Sequence, residues 1–345
     1  MKERTARRTR PKTYSVCWGR MKRRVGELEL IDGIRAGVGA RRGPSVALGI
    51  GDDCAILRPP KGHEILVTTD FSLEGRHFRR DWHPADAVGH RVIARGLSDL
   101  AGMGARPLAA FLSLALPREM LTSRPGRRWV DGFFKGLDSL AQEFAVPLAG
   151  GDTSESPDGL VLADVVLVGS APAGRSLRRS GGREGDLLYV TGSLGGSAAE
   201  LKRLSEGKRT RGGPHPHLYP VPRIAIGLQL VKRRLATAAI DLSDGLSTDL
   251  AHLCAESRLG AELWSAAVPL GVEATLQQAL NGGEDYELLF SAPASVKLPK
   301  ALAGVTVTQI GRLVRGDGVW LVGSDQERQE LKPSGWEHFR TGAGK

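Results

Sequence analysis

The sequence predicts a mixed α/β (α+β) fold in two domains, and three observations lead there. The chain has 345 residues, 41% hydrophobic and 25% charged, which is room and apolar surface for two cores of ordinary size. Strand-like and helix-like runs alternate without a regular βαβ period, which favours mixed layers over a simple doubly wound sheet. A stretch rich in Gly, Arg and Ser, APAGRSLRRSGGREG at 171–185, separates the two halves. The spacing thus divides the chain into a basic tail (1–24), an N-terminal domain (25–172) and a C-terminal α/β domain (173–345).

Residues 25–36 read as an amphipathic helix and 37–46 as a Gly/Arg loop, with strands near 53–58 and 64–70. Residues 84–104 have helical spacing, with Val88, Val92, Ile93, Leu97 and Leu100 on one side. Pro84 suits the first turn of that helix and Gly104 its end. A strand at 108–116, a helix near 126–144 and strands at 146–150 and 160–170 complete the first unit. The second opens with a strand at 186–192 and a helix from about Gly195. Residues 205–220, basic with Gly, Pro and His, read as a mobile surface loop. A helix (222–234), a strand into Asp241, a helix (246–257) and strands near 286–292, 305–312 and 318–323 follow.

The net charge of +10 belongs to the tail. Residues 1–24 hold ten Lys/Arg and one Glu, while the rest carries 38 basic and 37 acidic residues. The body is nearly neutral, so nucleic acid is not an expected partner, and the tail reads as a disordered extension. Met21 immediately precedes the ordered pattern and reads as an alternative start. No apolar run is long enough to cross a bilayer and no signal-peptide pattern is evident. Cys17, Cys54 and Cys254 lack metal-site spacing and suggest no disulfide framework, so the expectation is a cytoplasmic protein.

Chemistry concentrates in short acidic motifs, most of which follow an apolar run: VALGIGDD (46–53), LVTTD (66–70), ARGLSD (94–99), VPLAGGD (146–152), AAIDLSDG (238–245), STD (247–249) and ALNGGEDYELLF (279–290). Their placement suggests one converging site. Two like charges about 4 Å apart repel by roughly 4 kcal/mol at an effective dielectric near 20. A hard divalent cation removes that cost, and oxygen ligands are what Mg²⁺ selects. The motifs therefore point to several Mg²⁺ ions and a polyphosphate.

Each motif has a plain reading beside the chemical one. In GIGDD, extended backbone would aim only one of Asp52 and Asp53 inward. Thr68, Thr69 and Asp70 supply hydroxyl and carboxylate oxygens at a strand end. Asp99 lies inside a helix, where a buried carboxylate is costly without a partner. In GGDTS, a Gly-Gly turn would expose the Gly151 N–H to an anion beside Asp152. Ser243 and Asp244 stand at a helix start, as caps or as an anion site near Asp241. GLSDLAGMGA and DLSDGLSTDLAHL share a Ser-Asp dipeptide before a helix, a faint internal echo. His77 is either structural or a substrate contact. Arg179 is either a solvated linker cation or a phosphate contact. Trp336 either packs in a core or offers its face to a cationic ring. No P-loop, protein-kinase set, HExxH or nucleophile elbow is present.

In this order, GIGDDCAIL, TTDFSLEGRHF, LSDLAGMGARP, LAGGDTS, RSLRRSGGREGDLLYVTG, IDLSDGLSTDLAHL and GGEDYELLF resemble the thiamine-monophosphate kinases, within the superfamily of aminoimidazole ribonucleotide synthetase. The resemblance covers nearly everything after residue 25. It implies that superfamily's two-domain fold, with an ATP- and metal-binding N-terminal domain that also dimerises. It implies ATP-dependent phosphorylation of thiamine monophosphate to thiamine diphosphate by direct in-line transfer. It places Mg²⁺ ligands at Asp53, Thr68, Thr69, Asp70, Asp99, Asp152, Asp241 and Asp244, with Asp70, Asp99 and Asp152 catalytic. ATP contacts fall at Gly151, Asp152, Arg179 and Ser243, and substrate contacts at His77, Glu284 and Trp336. Between Pro84 and Asp99 the chain is one residue longer than the family pattern, and the basic tail is not a family feature. Rival readings are a selenide water dikinase, an aminoimidazole ribonucleotide synthetase type, or a basic nucleic-acid-binding protein. Selenium chemistry would want a reactive cysteine near the glycine loop, and neither tail-borne Cys17 nor a strand-borne Cys54 suits it.

Overall fold

The computed structural model describes residues 26–40, 43–208 and 214–336. The basic tail and Cys17 lie outside the described residues, as does the 209–213 part of the expected loop.

The N-terminal unit begins with helix α1 (Glu27–Ala36) and a small strand pair, β1 (Val46–Leu48) with β2 (Ile56–Leu57). Then come β3 (His63–Leu73), α2 (Ala85–Gly102), β4 (Arg106–Leu116), α3 (Glu119–Thr122), α4 (Arg124–Glu143), β5 (Leu148–Glu155) and β6 (Leu162–Pro172). The sheet order is β3-β6-β4-β5, antiparallel except for the parallel β4–β5 pair. Helices α2 and α4 bury Leu97, Phe133, Phe134 and Leu137 against one sheet face. Alternation along β3 turns Leu66 and Ser72 inward, on the face that also carries Thr68 and Asp70. Ile65, Val67, Thr69 and Phe71 take the other, exposed face.

The C-terminal unit contains β7 (Leu187–Thr191), α5 (Gly196–Ser205), α6 (Ile224–Arg233), β8 (Ala238–Asp241), α7 (Leu246–Ser257), β9 (Gly260–Trp264) and α8 (Leu276–Asn281). It ends with β10 (Leu288–Ala292), β11 (Ala301–Leu302), β12 (Val305–Val314), β13 (Val319–Val322) and β14 (Arg328–Glu330). Its sheet runs β14-β13-β9-β12-β7-β10-β8, with β11 beside β12. No helix among the described residues is long and apolar enough to cross a membrane.

Helix α2 belongs to both units. One side packs under the N-terminal sheet, and its C-terminal turns meet α6 and β8. That crossing is close because position 227 is glycine: a Cβ there would lie 2.1 Å from the Ala101 carbonyl oxygen. Gly227→Ala should push the helices apart and lower stability by about 1–3 kcal/mol. A reduced urea midpoint with an unchanged m-value would check it.

Several sequence expectations need correction. β1 (Val46–Leu48) is a strand that the expected element list lacked, starting at the last residue of the expected loop, and the expected 53–58 strand shrinks to Ile56–Leu57. Cys54 is an exposed bend residue, not a strand residue. β3 continues past Asp70 to Leu73, so TTD does not end it. β5 runs straight through Gly150 and Gly151, and the expected Gly-Gly turn is absent. Gly151 still needs to be glycine, since its φ is +147° and a Cβ would lie 1.9 Å from the Leu112 carbonyl oxygen.

The 205–220 segment departs most. Residues 217, 218 and 220 are buried, and His217 is 1% exposed. The Pro-rich run HPHLYP inserts between the units. His90 Nε2 lies 2.7 Å from the Pro220 carbonyl oxygen, and Glu200 accepts the His217 N–H at 2.8 Å. Basic and Pro/Gly-rich composition signalled solvent, but the buried polar groups here are satisfied by partners distant in sequence.

Candidate active site

A cavity of about 620 Å³ opens where α2 meets the C-terminal unit. Three carboxylates from three elements face it: Asp70 from β3, Asp99 from α2 and Asp241 from the end of β8. Thr68 donates a hydrogen bond to Asp99, and Ser98 Oγ donates to Asp241 at 2.7 Å. Burial and mutual repulsion push all three carboxyls up to about 6. Asp241 adds to the rise at Asp99, and Asp70 to that at Asp241. The positive charge of Arg179, on an exposed 3₁₀ turn, partly offsets the rise at Asp99 and Asp241.

Ser243 and Asp244 line the same cavity, in the loop between β8 and α7. They are not the helix cap. Gly245 is the N-cap, and buried Asp249 accepts the N–H groups of Asp244 and Gly245, each at 3.1 Å. Burial, then Asp241 and Asp244, drive the Asp249 carboxyl well above the ordinary range. The expected echo between the two Ser-Asp motifs fails, because Ser98-Asp99 lies deep in α2 while Ser243-Asp244 precedes α7. Trp336 reaches the cavity from the C-terminal segment, its N–H bonded to the Asp244 carbonyl at 3.0 Å, and is 48% exposed.

His77 and Glu284 line the same cavity. The Leu73 N–H donates to His77 Nδ1 at 3.0 Å, which fixes the ring. Glu284 sits in the GGEDY loop at a positive φ of 66°. Burial alone would raise its carboxyl, but Arg91, His217 and Arg95 outweigh that and hold it down at about 2. Arg91 Nη2 donates to it at 2.6 Å. Next to it, burial pushes Asp285 up to about 7, although it accepts the Gly195 and Ser197 N–H groups. Those bonds tie the loop to the start of α5.

Asp53, Gly151 and Asp152 are elsewhere. With Asp52, Cys54 and Phe111 they line a second cavity of about 720 Å³. Register places Asp152 opposite Ser113, Ser113 opposite Asp164 and Asp164 opposite Phe71, so Asp152 shares the exposed sheet face. Thr69 lies on that face too. The acidic motifs thus form two groups within one chain instead of a single converging cluster. Asp52 and Asp53 are both exposed, and Asp52 Oδ1 accepts the Asp53 N–H at 2.9 Å.

Among the described residues, no three His, Cys, Asp or Glu side chains gather closely enough to hold a cation alone. The donor set still fits magnesium. It is all oxygen, its buried carboxylates repel one another, and hydroxyls stand beside them. Mg²⁺ is usually bound by one or two carboxylates together with substrate phosphates, not by a closed protein cage.

The sequence matches the family profiles described as AIR synthase related protein, N-terminal domain, over residues 51–171, and C-terminal domain, over residues 183–323. It is 38% identical over 315 residues to the thiamine-monophosphate kinase of Escherichia coli (strain K12), spanning 86% of this chain and 93% of that one. The chain belongs to the thiamine-monophosphate kinase family. The crystal structure of thiamine-monophosphate kinase from Stenotrophomonas maltophilia K279a matches with a TM-score of 0.73 at 34% identity, over 87% of this chain and 96% of that chain. A solved structure of AaThiL complexed with AMPPCP and TMP matches with a TM-score of 0.71 at 32% identity, over 91% and 97%.

In this family member the aspartates and Glu284 could be read from motifs, but the groups that hold them could not. Arg91, Arg95 and Asp99 fall at four-residue spacing on a helix whose buried positions are mostly apolar, a row of charges on one face. That pattern was the available signal for Arg91 and Arg95. His217 carried none beyond its place in a Pro-rich run.

Proposed function

We propose that the chain transfers the γ-phosphoryl group of ATP to thiamine monophosphate, giving thiamine diphosphate and ADP. One observation carries the reading: carboxylates from three elements of two units face a cavity that an ionised glutamate also lines. A polyphosphate bridged by cations suits the aspartates, and a cationic heteroaromatic ring suits Glu284 and Trp336, which line the same cavity.

Asp70, Asp99, Asp241 and Asp244, with Thr68, would hold Mg²⁺ against the donor phosphates. Asp53, Thr69, Gly151 and Asp152 belong to the same proposed metal and nucleotide set. When bound, the ions neutralise phosphate charge. Ser243 and Arg179 contact the donor, and His77, Glu284 and Trp336 orient the acceptor. An anionic oxygen of the acceptor phosphate forms a bond to the γ-phosphorus. The bond from that phosphorus to the β-bridging oxygen breaks, and its electron pair leaves with ADP. No proton need move and no phosphoenzyme forms, so these residues position and neutralise.

Incubating the chain with ATP, MgCl₂ and thiamine monophosphate should give equal amounts of ADP and thiamine diphosphate by chromatography. ATP hydrolysis without thiamine diphosphate would refute the assignment. Dependence on ATP fits a cytoplasmic site of action.

A homodimer through the exposed face of the N-terminal sheet belongs to this proposal. It is supported by Val67 and Phe71, each 61% exposed, and Ile65 at 44%, in one apolar row. Val67→Glu should shift sedimentation from dimer to monomer at micromolar concentration. A wild-type chain that sediments as a monomer would remove the dimer.

A further inference from the structure

We propose that Arg95 grips the phosphate of the acceptor, and so selects a phosphorylated acceptor over an unphosphorylated one. This rests on reading the cavity as the site for ATP and thiamine monophosphate.

Two arginines, 91 and 95, stand one helical turn apart on α2 and reach toward Glu284. They are held very differently. Arg91 is 3% exposed and bonded through both terminal nitrogens: it donates to Glu284 at 2.6 Å, to the His77 carbonyl at 3.3 Å and to the His217 carbonyl. It acts as a tie between the units. Arg95 lines the cavity instead. Its Nη2 donates to Asp70 Oδ1 at 3.3 Å, and its Nη1 stands 3.8 Å from Glu284 Oε1, too far for a hydrogen bond. Its Nε is buried without a hydrogen-bond partner. A guanidinium has five N–H donors, and this one is poorly satisfied inside a desolvated site.

Arg95 also stands at the right place. Its guanidinium stands between Asp70, in the proposed metal set, and Glu284, in the proposed acceptor set. An acceptor whose cationic ring is held near Glu284 and whose phosphate meets the donor at the aspartates passes Arg95. Burial works against the charge of Arg95, but nearby Tyr286, Asp70 and Glu284 keep its pKa above the ordinary value, and the fork stays cationic as arginine does in proteins. A planar fork donates two parallel bonds to a phosphate, which a point charge cannot. With its phosphate so held, the acceptor presents a remaining oxygen to the γ-phosphorus.

The test is calorimetric titration of the full chain with thiamine monophosphate and with thiamine, together with steady-state kinetics. Arg95→Gln should weaken thiamine monophosphate binding about 10- to 100-fold, the range of a charge-assisted bond. Thiamine binding and the KM for ATP should stay near wild type. Arg95→Lys, which keeps charge without the fork, should fall between. Arg95→Gln with the wild-type preference for the phosphorylated compound overturns the proposal. So does an equal loss for both compounds, as a mere inter-unit staple would give. If the Gln variant does not fold, the Lys variant decides, since an unchanged preference there overturns the proposal as well. A wild-type chain that binds neither compound sinks the thiamine reading itself, before any variant is compared.

Discussion

Replacing Asp70 with asparagine lowers kcat about 10³-fold and raises the melting temperature of the metal-free chain. The two effects share one cause. The carboxyls of Asp70, Asp99 and Asp241 stand at about 6 because burial and mutual repulsion disfavour their charge. Without cations at neutral pH, the fold holds three carboxylates that it would prefer protonated. Asparagine removes one charge and relieves the others. It also removes a ligand for the charge that must be neutralised when two phosphates meet, an electrostatic contribution often worth 10²–10³-fold in kcat. The folded values lie above the unfolded ones, so between about pH 4 and 6 the folded chain binds more protons than the unfolded. Metal-free stability therefore falls as pH rises through that window, and Asp70→Asn flattens the slope. Scanning calorimetry from pH 4 to 7.5, with and without Mg²⁺ and a non-hydrolysable ATP analogue, measures this. Wild-type turnover in Asp70→Asn would remove Asp70 from the site.

The same electrostatics separates what the sequence could reveal from what it hid. Helix α7 was bounded correctly, 246–257, because a Gly just before it and an apolar period inside it are local signals. The carboxylates at 70, 99 and 241 were legible because several acidic motifs recur in one chain, although each alone has a plain reading. That Asp53 and Asp152 fall in a second cavity was not legible. It depends on which face of a sheet each residue takes, and register decides that. The acid of STD was visible but its role was not, because Asp249 accepts backbone N–H groups in a loop whose shape only the fold supplies. His217 was misread for a related reason. Composition around 205–220 resembles a surface loop, and burial there is set by Arg91 and Glu200, which lie far away in sequence.

Arg91→Met lowers stability by about 3–5 kcal/mol, the cost of breaking a buried ion pair from one side. Arg91 is 3% exposed and joins α2 to Glu284 and His217 of the other unit. Methionine fills part of the volume but leaves the His217 and His77 carbonyls short of a donor. Glu284 also loses its main counter-charge and stays ionised with only Arg95 and His217 nearby. Glu284→Gln in the same background should recover about 1–3 kcal/mol, because the orphaned charge is then gone. The pH dependence distinguishes lost charge pairing from lost packing. Glu284 is held at about 2, down from 4.5. A depressed carboxyl adds stability that is fully present above 4.5 and is lost as pH falls toward 2, amounting to about 3 kcal/mol. The gap between wild type and Arg91→Met should therefore be constant above about pH 5 and narrow steadily below it. Urea denaturation at pH 3, 4, 5 and 7 reads that gap. A difference that stays flat across all four pH values would mean that Arg91 acts by packing alone, and the charge-pairing account would fail.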